Sequence, residues 1–255
     1  MKFQSSDMQV ELLPGKAYSV RNALGEYSLG IALQRQQGVH AIGTDRRADF
    51  DTWPGTLAHT PPGVDVFSES ETGGEYLIVR WASTAELDVH EFDKAANRRH
   101  QWTGHAAALR RARHLRRLLL ASERDELAVE QAMLALVNVE RKKTTTLDQQ
   151  LRAKYGRVLD RIASEFDQAL TIVQLAASVD RTPLAFLREF TRMTGMTPHA
   201  YIVETRVQAA RASMRRDKAP LAIIAADCGF THQSHMGVAF RKVLGQTPGR
   251  YRAML

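Results

Sequence analysis

The chain has 255 residues, 44% apolar and 25% charged, which suits two ordinary domains with a buried core in each and excludes disorder or an extended coiled coil. Its single cysteine, Cys228, excludes an intramolecular disulfide framework and a multi-cysteine zinc site, and reads as a buried structural thiol. The net charge of +7 is segregated: residues 1–97 carry 8 basic against 14 acidic residues, whereas residues 98–255 carry 27 against 14. Such a division fits a back half that meets a polyanion, and it equally fits a solvated arginine-rich surface. The opening residues hold no apolar run of signal-peptide type and no stretch nears the ~20 apolar residues of a membrane span, so the expectation is a cytoplasmic protein with no membrane partner.

Residues 15–82 read as short β segments (27–34, 39–43, 56–60, 64–69 and 75–81) separated by the turn signals Trp53-Pro54-Gly55, Pro61-Pro62-Gly63 and Gly73-Gly74. Regular spacing of this kind favours a small antiparallel barrel or sandwich. From Thr103 to about Glu140 the chain turns to Ala, Leu, Arg and Glu, which predicts two helices, the second capped by Ser122. Leu115, Leu118, Leu119, Leu127, Met133, Leu134, Leu136 and Val137 supply apolar faces for an internal core or a homodimer contact. The polar stretch from Glu140 to Lys154 reads as a linker.

Beyond it the sequence repeats. Phe190, Gly195, Thr197, Pro198 and Tyr201 return as Phe240, Gly245, Thr247, Pro248 and Tyr251, each 50 residues on. Upstream of each copy lies a short apolar segment, residues 173–177 and 222–226. Each unit thus reads as helix, tight turn, helix. Ala176 and Ala225 permit close helix approach, while Phe186 with Phe190, and Met236 with Phe240, sit at i, i+4 to fill the gap. The glycines fall where a helix must end, and Thr-Pro opens the next one. The outer face of the later helix offers Leu184, Leu187, Arg188 and Arg192 in the first unit and Gln233, Ser234, His235, Gly237 and Arg241 in the second. Arginine can pair with guanine, glutamine with adenine and leucine with a thymine methyl in the major groove of double-stranded DNA.

With these motifs on the page, residues from about 157 to 252 resemble the AraC/XylS class of bacterial regulators. Leu175-Ala176, Thr182-Pro183, Arg188-Glu189-Phe190 and the run from Gly195 to Tyr201 carry the first half of that likeness. Arg206, Ala209-Ala210, Ile224-Ala225, Gly229-Phe230, Gln233-Ser234-His235 and Phe240-Arg241-Lys242 carry the second. The resemblance implies an α+β chain: a cupin-like β-barrel or sandwich (residues 1–97), helical connectors (98–140), a linker (141–154) and an all-α double helix-turn-helix domain (155–255). It also implies reading helices at about 183–194 and 232–244, joined by a long helix at about 198–216, and spaced to enter successive major grooves ~34 Å apart. Leu184, Leu187, Arg188, Gln233, Ser234, His235 and Gly237 fall on family base-contacting positions. Val238 and Met236 depart from the family's usual arginine and aromatic residue, and Val238 removes a groove contact, which shifts the second unit from base discrimination toward backbone binding. RNA polymerase, a small-molecule effector and activation of transcription enter as expectations from the same resemblance.

No cofactor or metal is expected. His40 and His59 lack the closely spaced His-x-His and Glu of a metal-binding cupin, and nucleophile-elbow, phosphate-loop and zinc-protease motifs are missing from the sequence. Two other readings stand beside the regulator: a cupin-type metal enzyme with an appended DNA-binding module, and an interaction protein that assembles partners through residues 105–139.

Overall fold

The computed structural model describes residues 1–22, 25–82, 98–140 and 149–255. Most of the polar stretch from Glu140 to Lys154 that reads as a linker lies outside them, as does the boundary placed at residue 97. Clustering of contacts divides the chain into two compact units, Met1–Thr144 together with Met193–Gly195, and Thr145–Arg192 together with Met196–Leu255. Among the described residues no helix is long and apolar enough to cross a membrane.

The first unit begins with ten strands: β1 (Lys2–Gln4), β2 (Met8–Leu13), β3 (Tyr18–Arg21), β4 (Glu26–Ala32), β5 (Gln36–Ile42), β6 (Ala48–Thr52), β7 (Leu57–Thr60), β8 (Val66–Ser70), β9 (Tyr76–Ala82) and β10 (His100–Trp102). They form two antiparallel sheets, ordered β1-β2-β9-β4-β7-β10 and β3-β8-β5-β6. The five β segments read from the sequence overlap β4, β5, β7, β8 and β9, each running one or two residues past the strand at one end. The strands β1, β2, β3, β6 and β10 were not anticipated: β1, β3, β6 and β10 are short or polar and gain their stability from a neighbour, whereas β2 lies ahead of the segments read as β although Met8, Val10 and Leu12 alternate as buried residues along it. In β9, Leu77, Val79 and Trp81 are buried on one side of the sheet while Tyr76, Ile78 and Arg80 point to the other, toward the facing sheet.

Helices α1 (Ala106–Leu119) and α2 (Glu126–Val137) complete this unit and pack on each other. Leu115, Leu119, Met133, Leu136 and Val137 are buried, whereas Leu127 and Leu134 remain exposed. The cap of α2 is Asp125 rather than Ser122, since its carboxylate accepts the Ala128 N–H at 3.0 Å and also complements the helix dipole. Arg116 of α1 is fully buried and donates to the Glu75 carboxylate at 2.7 Å, which ties α1 to the start of β9.

The second unit is helical: α3 (Gln149–Ser164), α4 (Ile172–Ala177), α5 (Pro183–Thr194), α6 (Pro198–Arg216), α7 (Leu221–Asp227), α8 (Gln233–Leu244) and α9 (Pro248–Ala253). Helix α3 takes up the last six residues, 149–154, of the stretch read as linker. Its polar first turn is carried by an apolar stripe further on, Tyr155, Val158, Leu159 and Ile162, each at most 2% exposed.

Candidate nucleic-acid interface

The two halves of the second unit are built alike, and the repeat explains why. At the end of α4, Arg181 N–H returns to the Ala176 carbonyl at 3.1 Å; at the end of α7, Phe230 N–H returns to the Ala225 carbonyl at 2.9 Å. These are six-to-one closures of the Schellman type, and each requires a left-handed residue just before the donor. Gly229 supplies it in the second unit at φ 74°, and Asp180 supplies it in the first at φ 56°. The sequence pattern concealed this equivalence, because aspartate tolerates the left-handed region through local hydrogen bonding but carries none of glycine's signal.

After the turn, Thr182 caps α5 through the Ala185 N–H and His232 caps α8 through the His235 N–H. Both helices then divide into two faces. Phe186, Phe190 and Met193 at i, i+4 and i+7 are buried in α5, and Met236 and Phe240 are buried in α8. Burying a side chain of this size contributes roughly 1.5–3 kcal/mol, so the inner faces fix the rotation of both helices. Ala176 and Ala225 are buried opposite them, as close approach requires.

Gly195 at φ 71° and Gly245 at φ 78° end the two helices in the left-handed conformation. Thr197 and Thr247 then cap α6 and α9 through the N–H groups of Ala200 and Arg250, with Pro198 and Pro248 at the first helical positions. Four residues after each threonine a tyrosine closes the motif: Tyr201 meets Phe190 edge-on at 5.6 Å, and Tyr251 meets Phe240 at 6.1 Å. The recurrent Phe, Gly, Thr, Pro and Tyr thus form one mechanical device, a stop, a cap and an aromatic latch onto the preceding helix.

The arginines of this unit separate by role. Arg181 pairs with Glu189 at 3.1 Å, and the same carboxylate accepts the Tyr155 hydroxyl at 2.8 Å. That tyrosine stacks on Phe186 at 5.7 Å, so the cluster holds α5 against α3; burial, then the hydrogen bond to Glu189, drives the Tyr155 pKa far upward. Arg206 donates to the carbonyls of Phe166 and Gln168 at 2.6 and 2.8 Å. Arg215 reaches the Tyr251 hydroxyl at 3.1 Å and Arg252 reaches the Ala219 carbonyl at 2.7 Å. By contrast, Arg188, Arg192 and Arg241 are exposed and form no ion pair among the described residues.

Those three lie on the outer faces with the other sequence-derived candidates. On α5, Leu184 is 59% exposed, Arg188 and Arg192 follow at i+4 and i+8, and Leu187 is half-buried beside them. On α8, Gln233, Ser234 and His235 are exposed in the first turn. The Ser234 hydroxyl lies 2.9 Å from His232 Nδ1, and the His235 ring meets Phe230 edge-on at 5.5 Å, which restricts both side chains. Gly237 is buried, unlike its companions; a Cβ there would meet only the Arg241 guanidinium, at 3.8 Å. Its accessible surface is thus covered by an exposed, movable side chain rather than by the core. Val238, the departure noted in the sequence, is 56% exposed on this open side. Sequence reasoning did not single out His232, whose extended backbone and cap bond set the start of α8.

The class of this unit follows from its construction: two helix-turn-helix elements in tandem, with α6 running between them. A helix-turn-helix domain family model matches residues 175–254. The chain is 30% identical over 119 residues to the HTH-type transcriptional activator RclR of Escherichia coli K12, 47% of this chain and 41% of that protein. It is 38% identical over 84 residues to a Streptomyces antibioticus protein described as an AraC-like transcription regulator, covering 32% of this chain and 27% of that one. Among solved structures, the DNA-binding domain of AdpA in complex with a target DNA is 25% identical, with 40% of this chain and 91% of that chain covered and a TM-score of 0.38. The C-terminal region is an AraC-type helix-turn-helix domain. The matches span less than half the length of these curated relatives.

Proposed function

We propose that the protein is a sequence-specific DNA-binding transcriptional regulator in which α5 and α8 enter successive major grooves of one duplex. The observation that carries this reading is the repeated two-faced construction. Each of the two helices is locked from behind by buried aromatic or methionine side chains, and each presents unpaired arginine with Leu, Gln, Ser or His outward. Leu184, Leu187, Arg188 and Arg192 serve the first half-site and Gln233, Ser234, His235, Gly237 and Arg241 the second, with arginines supplying phosphate or base contacts. Arg181, Arg206, Arg215 and Arg252 brace the frame and contribute no direct readout.

In the same reading residues 1–97 form a sensory domain, 98–140 a connector able to dimerise, 141–154 a linker and 155–255 the DNA-binding domain. A small-molecule effector or a change of dimer geometry then modulates DNA binding, and RNA polymerase is the downstream partner in the cytoplasm.

The test is selection of bound fragments from random DNA by the full chain, followed by titration of the selected site at several salt concentrations. Two conserved blocks one helical turn apart are expected, with log affinity falling steeply against log salt as phosphates release their counterions. A single block with flat salt dependence overturns the reading.

A further inference from the structure

The two sheets of the first unit enclose a cavity of about 540 Å3, within the range that holds an organic ligand of moderate size. Its walls are largely apolar and aromatic. Ile78 and Ala58 face it from the six-stranded sheet, and Phe50, Val66 and Tyr18 from the four-stranded one. Gly30 makes room for the Tyr76 ring, because a Cβ at that position would overlap the ring itself. The Tyr18 hydroxyl is held by Ser68 at 3.2 Å and by Gln36 at 3.3 Å, so these polar groups are already partly satisfied by each other.

The charges that line the cavity do not cancel. Glu11 serves both Lys2 at 3.3 Å and Arg80 at 3.4 Å, Arg21 pairs with Asp65 at 3.0 Å, and Glu26 accepts the Gln9 amide at 3.3 Å. Lys16 also lines the cavity but is exposed, so water solvates its charge. Arg99 differs from all of these. Its guanidinium donates to the neutral Thr60 hydroxyl at 2.9 Å and lies against the Tyr76 hydroxyl, while its Nε is buried with no hydrogen-bond partner among the described residues. No carboxylate pairs with it among those residues. His40, stacked on Phe50 at 5.4 Å, adds no second charge, since burial and then the Arg99 charge push its pKa down. A half-buried arginine with an unused donor in an apolar chamber lacks an anion, because a cation taken from water is stabilised only when paired and hydrogen-bonded.

We infer that this cavity takes an amphiphilic organic monoanion, a carboxylate on an apolar body, with the carboxylate on Arg99 and the body among Phe50, Tyr18, Tyr76 and Ile78. The inference rests on the reading of the first unit as ligand-binding and narrows it to a chemical class. Arginine suits the role because its planar fork can grip a carboxylate through two donors, and Arg99 has Nε still free to give.

The experiment uses the full chain and two fluorescent probes with the same rings, anilinonaphthalene sulfonate and the uncharged N-phenylnaphthylamine, with decanoate and 1-decanol as competitors. Decanoate is expected to displace bound sulfonate probe at concentrations at least tenfold lower than decanol. Arg99→Gln is expected to weaken the sulfonate probe by tenfold or more and to change the neutral probe by less than twofold. Ala58→Trp, which fills the chamber, should abolish both. Equal displacement by acid and alcohol overturns the anion inference while leaving the ligand-binding reading intact. Failure of both probes to bind, or binding that survives Ala58→Trp, overturns the ligand-binding reading itself. The competition uses the natural chain alone, so it decides the matter even where Arg99→Gln does not fold.

Discussion

Gly229 lies directly on the backbone of Asp167: a Cβ at Gly229 would sit 2.6 Å from the Asp167 carbonyl oxygen and 2.7 Å from its Cα. Gly229 belongs to the turn of the second helix-turn-helix element and Asp167 to the segment that leads into the first. Arg206, on the connecting α6, holds the carbonyls on either side of Asp167. The segment 166–168 is therefore clamped from two directions, and the mutual orientation of the two elements depends on a glycine for steric reasons as well as conformational ones.

Replacing Gly229 with alanine forces a side chain into the left-handed region and into backbone that cannot swing aside. A loss of at least about 2 kcal/mol in denaturant unfolding is expected, from roughly 1–2 kcal/mol of conformational strain plus the clash. Gly249 supplies the control, since it lies in α9 with nothing within 4 Å of a Cβ. Gly249→Ala should raise stability by up to about 0.5–1 kcal/mol through helix propensity. Equal effects at both positions would refute the close approach.

Asp180 occupies in the first element the left-handed position that Gly229 occupies in the second, without a crowded backbone contact being required. Asp180→Gly should relieve strain of about 1–2 kcal/mol, set against about 0.4–1 kcal/mol of added freedom in the unfolded chain. The Lys154 ion pair it loses, at 3.1 Å with Asp180 82% exposed, contributes little. A net gain on the order of 0.5 kcal/mol is the expected result. A loss beyond that size would mean that the aspartate makes a contribution its geometry does not reveal.

The two turns also mark how far the sequence could be read. Phe, Gly, Thr, Pro and Tyr at fixed offsets were sufficient for the stops, caps and latches of α5, α6, α8 and α9, because each residue acts on its immediate neighbours. Asp180 was not legible, since its conformation is dictated by a closure that aspartate merely tolerates. Five strands could be found from their apolar segments and flanking turns, and β2, with Met8, Val10 and Leu12 buried in alternation, was open to the same reading, whereas β10 exists only by pairing His100, Gln101 and Trp102 with His59, Ala58 and Leu57. Arg99 passed unnoticed for the same reason: its solitude in the cavity is a property of what surrounds it in space. The buried pair of Glu75 and Arg116, 41 residues apart, left no trace in periodicity either.

That pair lends itself to a direct measurement. Arg116 and Glu75 are at most 1% exposed, so Arg116→Ala would remove the ion-pair partner of a buried carboxylate at a cost of about 3–5 kcal/mol. The double replacement Arg116→Met with Glu75→Gln removes both charges together and should recover most of that loss in thermal unfolding. A double variant no more stable than Arg116→Ala would show that the ion pair itself, rather than the avoidance of a lone charge, holds α1 to the sheet.

Cys228 sits buried at the end of α7, where burial first, then the charges of Asp227 and Asp167, push the thiol up to about 11. The folded state thus favours the protonated form more than the unfolded chain does, whose thiol ionises near ~8.5. This contribution to stability is complete below the unfolded pKa and is lost as pH rises through the folded one, between about 8.5 and about 11. Iodoacetamide at pH 8 should modify the native protein at least tenfold more slowly than the urea-unfolded chain, because only the thiolate attacks. Comparable rates in the two states would place the thiol in water.

Arg181 and Arg188 stand seven residues apart and separate folding from recognition. Arg181 is bound to Glu189, which also receives Tyr155, whereas Arg188 is exposed with no ion pair among the described residues. Arg188→Ala should leave unfolding within ±0.5 kcal/mol, as surface changes generally do. On the selected DNA it should cost ~1–3 kcal/mol and relax discrimination at one position. A uniform loss on all sequences would assign Arg188 to phosphate. Arg181→Ala should instead lower stability by up to ~1 kcal/mol, the usual ceiling for a partly exposed pair, and weaken every DNA site alike as α5 loosens against α3. If Arg188→Ala destabilised the fold while Arg181→Ala changed base preference, the inner and outer faces assigned to α5 would have to be exchanged.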